Sequence, residues 1–155
     1  MNRDELQKSL LSDFGSLDDK QLMALTIYGE ARGEGREGMI AVGSVILERV
    51  DHRGWDGDTI IEVCLMPWQF SCFLSSDPNY IDLKITARNF DARYEKSISL
   101  QQCYAVASGL IDGTIARTPE IAANHVCQYC TGAVNPAWKA KMKLVATVGH
   151  HEFYA

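Results

Sequence analysis

The stretch from Glu37 to Val50 constrains the fold more strongly than any other part of the sequence. Read as a helix, it has apolar side chains on nearly every side: Met39, Ile40, Val42, Val45, Ile46, Leu47 and Val50. A helix that is apolar all round has no face for water, so other elements have to surround it. Its small residues Ala41, Gly43 and Ser44 would let a neighbouring helix pack closely. The sequence therefore predicts a mainly helical fold around this central helix.

Length and composition fit a single globular unit. The chain has 155 residues, of which 46% are hydrophobic and 23% are charged, as in ordinary globular domains. We expect one catalytic domain over residues 1–155, with residues 1–16 as a helical N-terminal extension. The formal net charge of −5 argues against a nucleic-acid-binding protein, which would usually carry a basic patch.

A second helix, predicted from Leu22 to Glu34, carries the main candidate for chemistry. At about 100° per residue, one arc of this helix contains Leu22, Met23, Thr26, Ile27 and Glu30. A carboxyl among apolar side chains is desolvated, which disfavours its ionised form and suits a general acid. The alternative is that Glu30 is an exposed residue without a chemical role, as most helical glutamates are.

The remaining pattern predicts shorter elements. We expect helices over Asp4–Leu11, Thr59–Cys64 (capped by Asp58) and Arg93–Ile111, one helical turn at Trp138, and a capping box of Ser16 with Asp19. Between them we expect a turn-rich link over Asp51–Asp58, a surface excursion over Ser75–Asp91 and a loop over Thr114–Asn124. Extended pieces are expected over Leu144–Val148 and Glu152–Tyr154. The fold class predicted is therefore mainly α (α+β), with a few short strands.

The segment Pro67–Phe73, PWQFSCF, alternates aromatic and polar residues, which is typical of an extended segment. Aromatic rings stack on sugar rings, and the side chains of Gln69 and Ser71 can bind hydroxyl and acetamido groups. The segment therefore suits the wall of a sugar-binding groove. A buried edge segment with a structural role is the alternative.

The five cysteines are an odd number, which favours reduced thiols over a disulfide framework. No apolar run reaches the roughly 18 residues that a membrane-spanning helix needs. The N-terminal residues MNRDELQKSLLSDFG lack the apolar core of a signal peptide. We therefore expect synthesis in the cytoplasm without a signal peptide, and no stable membrane insertion.

Five blocks in order resemble the cell-wall hydrolase family typified by the spore-cortex-lytic enzyme SleB. They are YGEARGE (Tyr28–Glu34), AVGSVILERV (Ala41–Val50), PWQFSCF (Pro67–Phe73), NHVCQYCTGAVNPAW (Asn124–Trp138) and VGHHEFYA (Val148–Ala155). Two departures stand out: Glu48 occupies a position where Asn is common in the family, and His125-Val126 replaces a usual His-Tyr pair.

The resemblance implies a lysozyme-like fold, similar to lytic transglycosylases, that cleaves the β-1,4 bond between N-acetylmuramic acid and N-acetylglucosamine. It also implies that Glu30 is the catalytic acid, the residue that the helical arc picked out. The candidates for contact with the substrate are Glu34, Gln69, Phe70, Ser71, His125 and Tyr129. We expect no cofactor and no bound metal.

The resemblance to relatives with a lone Glu implies lytic transglycosylation, in which Glu30 is both acid and base and a 1,6-anhydro product forms; two alternatives to this mechanism stay open. Glycoside hydrolysis by the common routes needs two carboxylates, whereas a single acid suffices for lytic transglycosylation, as in relatives with a lone Glu. A hydrolytic muramidase would use Glu34 or another acid as the second carboxylate. A zinc-dependent amidase or a zinc-stabilised interaction module would instead draw its ligands from His125, Cys127 and Cys130 with His150 or His151.

The expected partner is the peptidoglycan polymer, bound by a monomer. The sequence looks like a phage endolysin, which would act in the periplasm or cell wall after release, through a holin if it comes from a phage. A bacterial remodelling enzyme is the alternative.

Overall fold

Helices make up most of the chain, and a small sheet forms near its C-terminal end. The computed structural model describes residues 1–52, 54 and 57–155. Its α-helices are α1 Arg3–Phe14, α2 Asp19–Ala31, α3 Gly35–His52, α4 Ile60–Cys64, α5 Tyr80–Arg88, α6 Phe90–Lys96, α7 Ile98–Asp112 and α8 Pro119–Ala123. Short 3-10 helices span Ser71–Phe73 and Ala137–Lys141, and the strands are β1 Gln128–Thr131, β2 Leu144–Val148 and β3 His151–Tyr154. The predicted mainly α class with a few short strands is confirmed.

The central helix is α3, as its apolar pattern predicted. Helices α2 and α7 pack against it, and most of its residues from Gly38 to Arg49 are buried. Gly43 shows how close the neighbours are, because a Cβ there would lie 2.5 Å from Cδ1 of Leu110 on α7. A side chain at Gly43 would require the ends of the Leu110, Met23 and Ile27 side chains to shift.

Two helices begin at residues other than those predicted. Helix α2 is capped by Asp18, whose side chain accepts from the backbone N–H of Gln21, rather than by Ser16. Helix α4 is capped by Thr59 with Glu62, rather than by Asp58. In both places several neighbouring residues can cap, and the start of the packed helix selects which one does. Helix α2 also ends at Ala31, before Glu34.

Several loops and boundaries were predicted wrongly. The predicted helix Arg93–Ile111 is broken at Ser97, which caps α7. Pro67–Phe73 is a turn followed by a 3-10 helix, not an extended segment. The predicted excursion 75–91 contains α5, and the predicted loop 114–124 contains α8. Short helices stabilised by tertiary packing carry little periodic signal in the sequence.

The sheet is antiparallel with the strand order β1-β3-β2. The sequence predicted β2 and β3 but missed β1. Tyr129 of β1 lies opposite Phe153 of β3 in the register of the two strands. Phe153 belongs to a small buried cluster that joins the sheet to α3 and α8: Ala41, Val45, Ile121, Val126 and Phe153.

The main hydrophobic core lies among the helices and includes residues of α1. Leu10 and Phe14 are buried in it, and the rings of Phe14 and Phe73 are 4.8 Å apart. Residues 1–16, predicted as an extension, thus contribute to this core. The predicted link 51–58 includes residues 53, 55 and 56, which lie outside the described residues. No helix in the described ranges is long and apolar enough to cross a membrane.

Candidate active site

A cavity of about 460 Å³ lies between the helices and the sheet. Its lining residues come from α2, α3 and the segment after α4, and from β1, the loop and 3-10 helix that follow it, and β3. The lining consists of Glu30, Arg49, Trp68, Gln69, Ser71, Gln128, Tyr129, Cys130, Thr131, Val134, Trp138 and His151. Three of the predicted site residues, Gln69, Ser71 and Tyr129, thus surround the same cavity as Glu30.

Glu30 stands in the last turn of α2 and is half-buried. Its Oε1 accepts a hydrogen bond from the backbone N–H of Cys72 at 3.3 Å. Its Oε2 accepts one from the hydroxyl of Tyr129 at 2.9 Å. Two donors on separate elements therefore fix the orientation of a carboxyl that still faces the cavity.

Gly29 explains how Cys72 comes within reach of Glu30. A Cβ at Gly29 would lie 2.7 Å from Cβ and 2.8 Å from Sγ of Cys72, and 3.0 Å from Cδ1 of Leu83. Only a glycine lets α2 and the 3-10 helix Ser71–Phe73 approach this closely without a clash. Gly29 thus allows the backbone N–H of Cys72 to donate its hydrogen bond to Glu30.

Tyr129 is held by aromatic neighbours on β3. Its ring stacks on Phe153 with centroids 5.5 Å apart and meets His151 edge-on at 5.1 Å. Burial, together with the nearby charge of Glu30, raises the pKa of the Tyr129 hydroxyl well above its usual value. Tyr129 therefore stays protonated and donates to Glu30 over the whole physiological pH range.

Arg49 brings a positive charge to the cavity. Its Nε donates to the backbone carbonyl of Cys127 at 2.9 Å, and its guanidinium lies 4.8 Å from the ring centroid of Phe70. Phe70, a predicted substrate contact, is buried against Arg49 and is not among the lining residues. Phe70 also belongs to the main hydrophobic core, and its predicted contact with the substrate stays a prediction.

His151 lines the cavity beside Tyr129. Its side chain is buried, and its Nδ1 has no hydrogen-bond partner within the described residues. Burial lowers the pKa of the imidazole, although the carboxylates of Glu34 and Glu30 act in the opposite direction. His151 is therefore neutral at neutral pH.

Arg49, His151 and Trp138 were not predicted as cavity residues. For His151 a signal was present, since His151 and Phe153 are two residues apart and so share one face of a strand. For Arg49 no local signal exists, because an arginine near the end of a helix normally reads as a solvated residue.

Glu34, a predicted cleft residue, is engaged elsewhere. Its Oε2 accepts from the backbone N–H of His150 at 2.9 Å, and its Oε1 lies 3.1 Å from Nδ1 of the same residue. The backbone N–H of His150 is the main cause that lowers the pKa of Glu34. Glu34 is not among the lining residues. A role for it in substrate binding stays a prediction.

His125 also lies outside the lining of the cavity. Its Nδ1 is 3.2 Å from Oε1 of Glu48, and its ring packs on His52. Among the described residues, the group that could hold a metal is Glu48, His52 and His125. The cysteines of the predicted zinc set are not part of that group, and no disulfide bond joins cysteines among the described residues.

The cavity therefore presents one acid with few charged neighbours. Glu30 is the only carboxylate among the described lining residues. The other polar groups are one guanidinium, a neutral imidazole and several amide and hydroxyl groups, with the exposed indole of Trp68 at the rim. Such a site can donate and accept one proton beside a polar, uncharged ligand.

Comparison with known sequences identifies the family. The pattern that defines the Cell Wall Hydrolase family matches residues 33–154. The chain belongs to the cell wall hydrolase family. The predicted recognition and the prediction of an enzyme are thus confirmed. The match begins after Glu30, so the catalytic role of Glu30 is not part of it.

Relatives of this cell wall hydrolase include a spore cortex-lytic enzyme of Oceanobacillus iheyensis. The two are 46% identical over 56 residues, which cover 36% of this chain and 20% of the relative. The chain thus matches about a fifth of that curated relative's length.

Two solved structures share the fold of this cell wall hydrolase. One is the catalytic domain of the germination-specific lytic transglycosylase SleB from Bacillus anthracis, with a TM-score of 0.55 and 22% identity over 90% of this chain and 96% of that one. The other is the catalytic domain of the Bacillus cereus SleB protein, with a TM-score of 0.56 and 22% identity over 88% of this chain and 89% of that one. The predicted lysozyme-like fold is thereby confirmed.

Proposed function

We propose that this cell wall hydrolase cleaves the glycan strands of peptidoglycan between N-acetylmuramic acid and N-acetylglucosamine by lytic transglycosylation. The observation that carries the proposal is that Glu30 is the only carboxylate among the described residues lining the cavity. Hydrolysis by the common two-carboxylate routes needs a second acid, and none is among the described lining residues. Family membership supports the substrate class.

In the first step, Glu30 protonates the oxygen that links the two sugars, and the bond from that oxygen to C1 of the muramoyl residue breaks. The carboxylate of Glu30 then takes the proton of the muramoyl C6 hydroxyl as its oxygen attacks C1. The product is a 1,6-anhydro ring, and Glu30 returns to its protonated form. One group thus serves as acid and then as base.

The neighbours of Glu30 support this sequence of steps. The Tyr129 hydroxyl and the Cys72 N–H stabilise the carboxylate that exists between the two proton transfers. The neutral imidazole of His151 can bind a sugar hydroxyl without competing for the proton of Glu30. The C6 hydroxyl belongs to the same sugar as C1, so its effective concentration at C1 is high and favours its attack over attack by water.

The decisive experiment is mass spectrometry of peptidoglycan digested with the purified protein. Transglycosylation predicts muropeptides that end in 1,6-anhydro-N-acetylmuramic acid, which lack one water relative to hydrolysed ones. Reducing-end muramic acid as the main product would refute transglycosylation and favour a hydrolytic muramidase, with Glu34 as the first candidate for the second acid. Free stem peptides with intact glycan would refute both and favour an amidase.

The endolysin role expected from the sequence remains part of the proposal. It predicts that the purified protein clears vegetative cell walls, and that cells making it lyse when their inner membrane is permeabilised. Activity confined to spore cortex would contradict this role and would leave the bond specificity untouched.

A further inference from the structure

The C-terminal end of α3 and the loop after α8 bring three potential metal ligands together. Glu48, His52 and His125 each offer one ligand atom, and these atoms all lie within 4.8 Å of one another. We propose that they bind a divalent transition-metal ion, zinc, at a site separate from the catalytic cavity. None of the three lines that cavity.

The geometry centres on the carboxylate of Glu48, which is 1% exposed. Its Oε1 is 3.2 Å from Nδ1 of His125, and its Oε2 is 3.7 Å from Nε2 of His52. Glu48 and His52 are four residues apart on α3, so their side chains share one face of the helix. His125 approaches from the loop that leads to β1.

Arg117 holds the carboxylate of Glu48 in place. Arg117 is shared, since its Nη1 donates to Glu48 and its Nη2 to Asp51 at 2.6 Å. Among the described residues, one guanidinium thus bridges two carboxylates, those of buried Glu48 and of Asp51. Arg117 also orients the Glu48 carboxylate, as partners of metal ligands commonly do.

The two imidazole rings lie close enough together to share one metal ion. Their centroids are 4.0 Å apart. Rings this close can each direct one nitrogen at a single ion between them. Two imidazole nitrogens and one carboxylate oxygen are a ligand set that zinc uses, with water in the fourth position.

Ions can reach the site from solvent. The side chains of His52 and His125 are 43% and 59% exposed. Bound zinc would connect α3 to the loop before β1, the strand that carries Tyr129. Its effect would therefore be to stabilise the attachment of the sheet to the helices. The proposal departs from the sequence-based expectation of no metal, and its ligand set differs from the predicted cysteine set.

The test is zinc binding to protein stripped with a chelator, measured by titration calorimetry and elemental analysis. We expect one zinc per chain and, at about a hundred times the dissociation constant, a melting temperature roughly 5–10 °C higher. His52→Ala and His125→Ala should each weaken binding at least tenfold. The control is His150→Ala, which removes an exposed histidine beside a different carboxylate, Glu34, and should bind zinc as the wild type does.

Circular dichroism of the stripped variants checks that they fold. If His125→Ala fails to fold, His52→Ala, which changes an exposed side chain, still provides the test. Absent or substoichiometric binding by the wild type would overturn the proposal. Undiminished binding by His52→Ala and His125→Ala would also overturn it. Loss of binding in Cys127→Ser, or a thiolate charge-transfer band with cobalt(II), would assign the metal to the thiols instead. None of these measurements depends on glycan cleavage.

Discussion

Glu30 is the residue whose proton the proposed reaction requires. Glu30→Gln keeps the size of the side chain and can still contact Tyr129 and Cys72, but it cannot donate and recover a proton. General acid catalysis typically contributes about 10²–10⁴-fold to the rate, so we expect a loss of at least about 100-fold. The measurement is clearance of a peptidoglycan suspension, with circular dichroism to verify folding. More than about a tenth of wild-type activity would contradict the assignment.

Glu34→Gln makes the same chemical change at a neighbouring glutamate and is the matched comparison. Because the Glu34 carboxylate is bonded to His150 and lies outside the described cavity lining, its loss should reduce clearance only partly. A loss equal to that of Glu30→Gln in a folded protein would instead identify Glu34 as a second catalytic acid. That result would favour a hydrolytic muramidase.

The turn between β2 and β3 is anchored to the helices by the same Glu34. The pKa of Glu34 is lowered in the folded state, so the ionised carboxylate stabilises the fold. This stabilisation is fully present above the ordinary pKa of 4.5. It is lost as the pH falls through the lowered folded value. Urea midpoints of the wild type should therefore exceed those of Glu34→Gln at neutral pH, and the gap should shrink below pH 4.5. A gap that stays constant to about pH 3 would contradict the anchor.

The contact between α2 and the 3-10 helix depends on the absence of a side chain at Gly29. Gly29→Ala would force Cβ against Cys72 and Leu83 and move the Cys72 N–H away from Glu30. Overpacking of this kind typically costs about 1–3 kcal/mol. We expect a lower free energy of unfolding in urea and a disproportionate loss of clearance by the folded fraction.

Gly33→Ala is the control, because a Cβ at Gly33 would meet nothing within 4 Å. It should change neither stability nor clearance by much. Equal effects of the two substitutions would mean that the close approach at Gly29 has no special role.

At the scale of the whole molecule, the site joins two packed units: the helices supply Glu30 and Arg49, and the sheet supplies Tyr129 and His151. Phe153 supports the sheet side, since it is fully buried and its ring stacks on Tyr129. At an assay temperature well below the melting temperature, Phe153→Leu should therefore clear peptidoglycan more slowly than the wild type. The loss of activity should be larger than the loss of folded protein. Melting curves and clearance at one low temperature provide the measurement.

Phe90→Leu makes the same change in the helical core, where Phe90 contacts Tyr94 and Tyr104 instead of the site. It should lower the melting temperature while the folded protein keeps its activity. If Phe153→Leu behaved in the same way, the stack on Tyr129 would not be required to position it.

The sequence by itself determined the features that depend on local pattern. The all-round apolar surface of α3 predicted a central helix, and the helical arc picked Glu30 as a half-buried acid. The period-2 pieces near the C-terminus predicted β2 and β3. These properties depend on side chains that are a few residues apart, so they can be predicted without knowing the fold.

Only the tertiary structure decided what surrounds Glu30. Tyr129 and His151 reach it through the pairing of β1 with β3, and Glu34 is diverted from the cavity by a turn more than a hundred residues away in sequence. Contacts across such separations depend on how helices and strands pack together. Local periodicity carries no information about that packing, so it could point to Glu30 as the candidate acid but not to the groups that orient it.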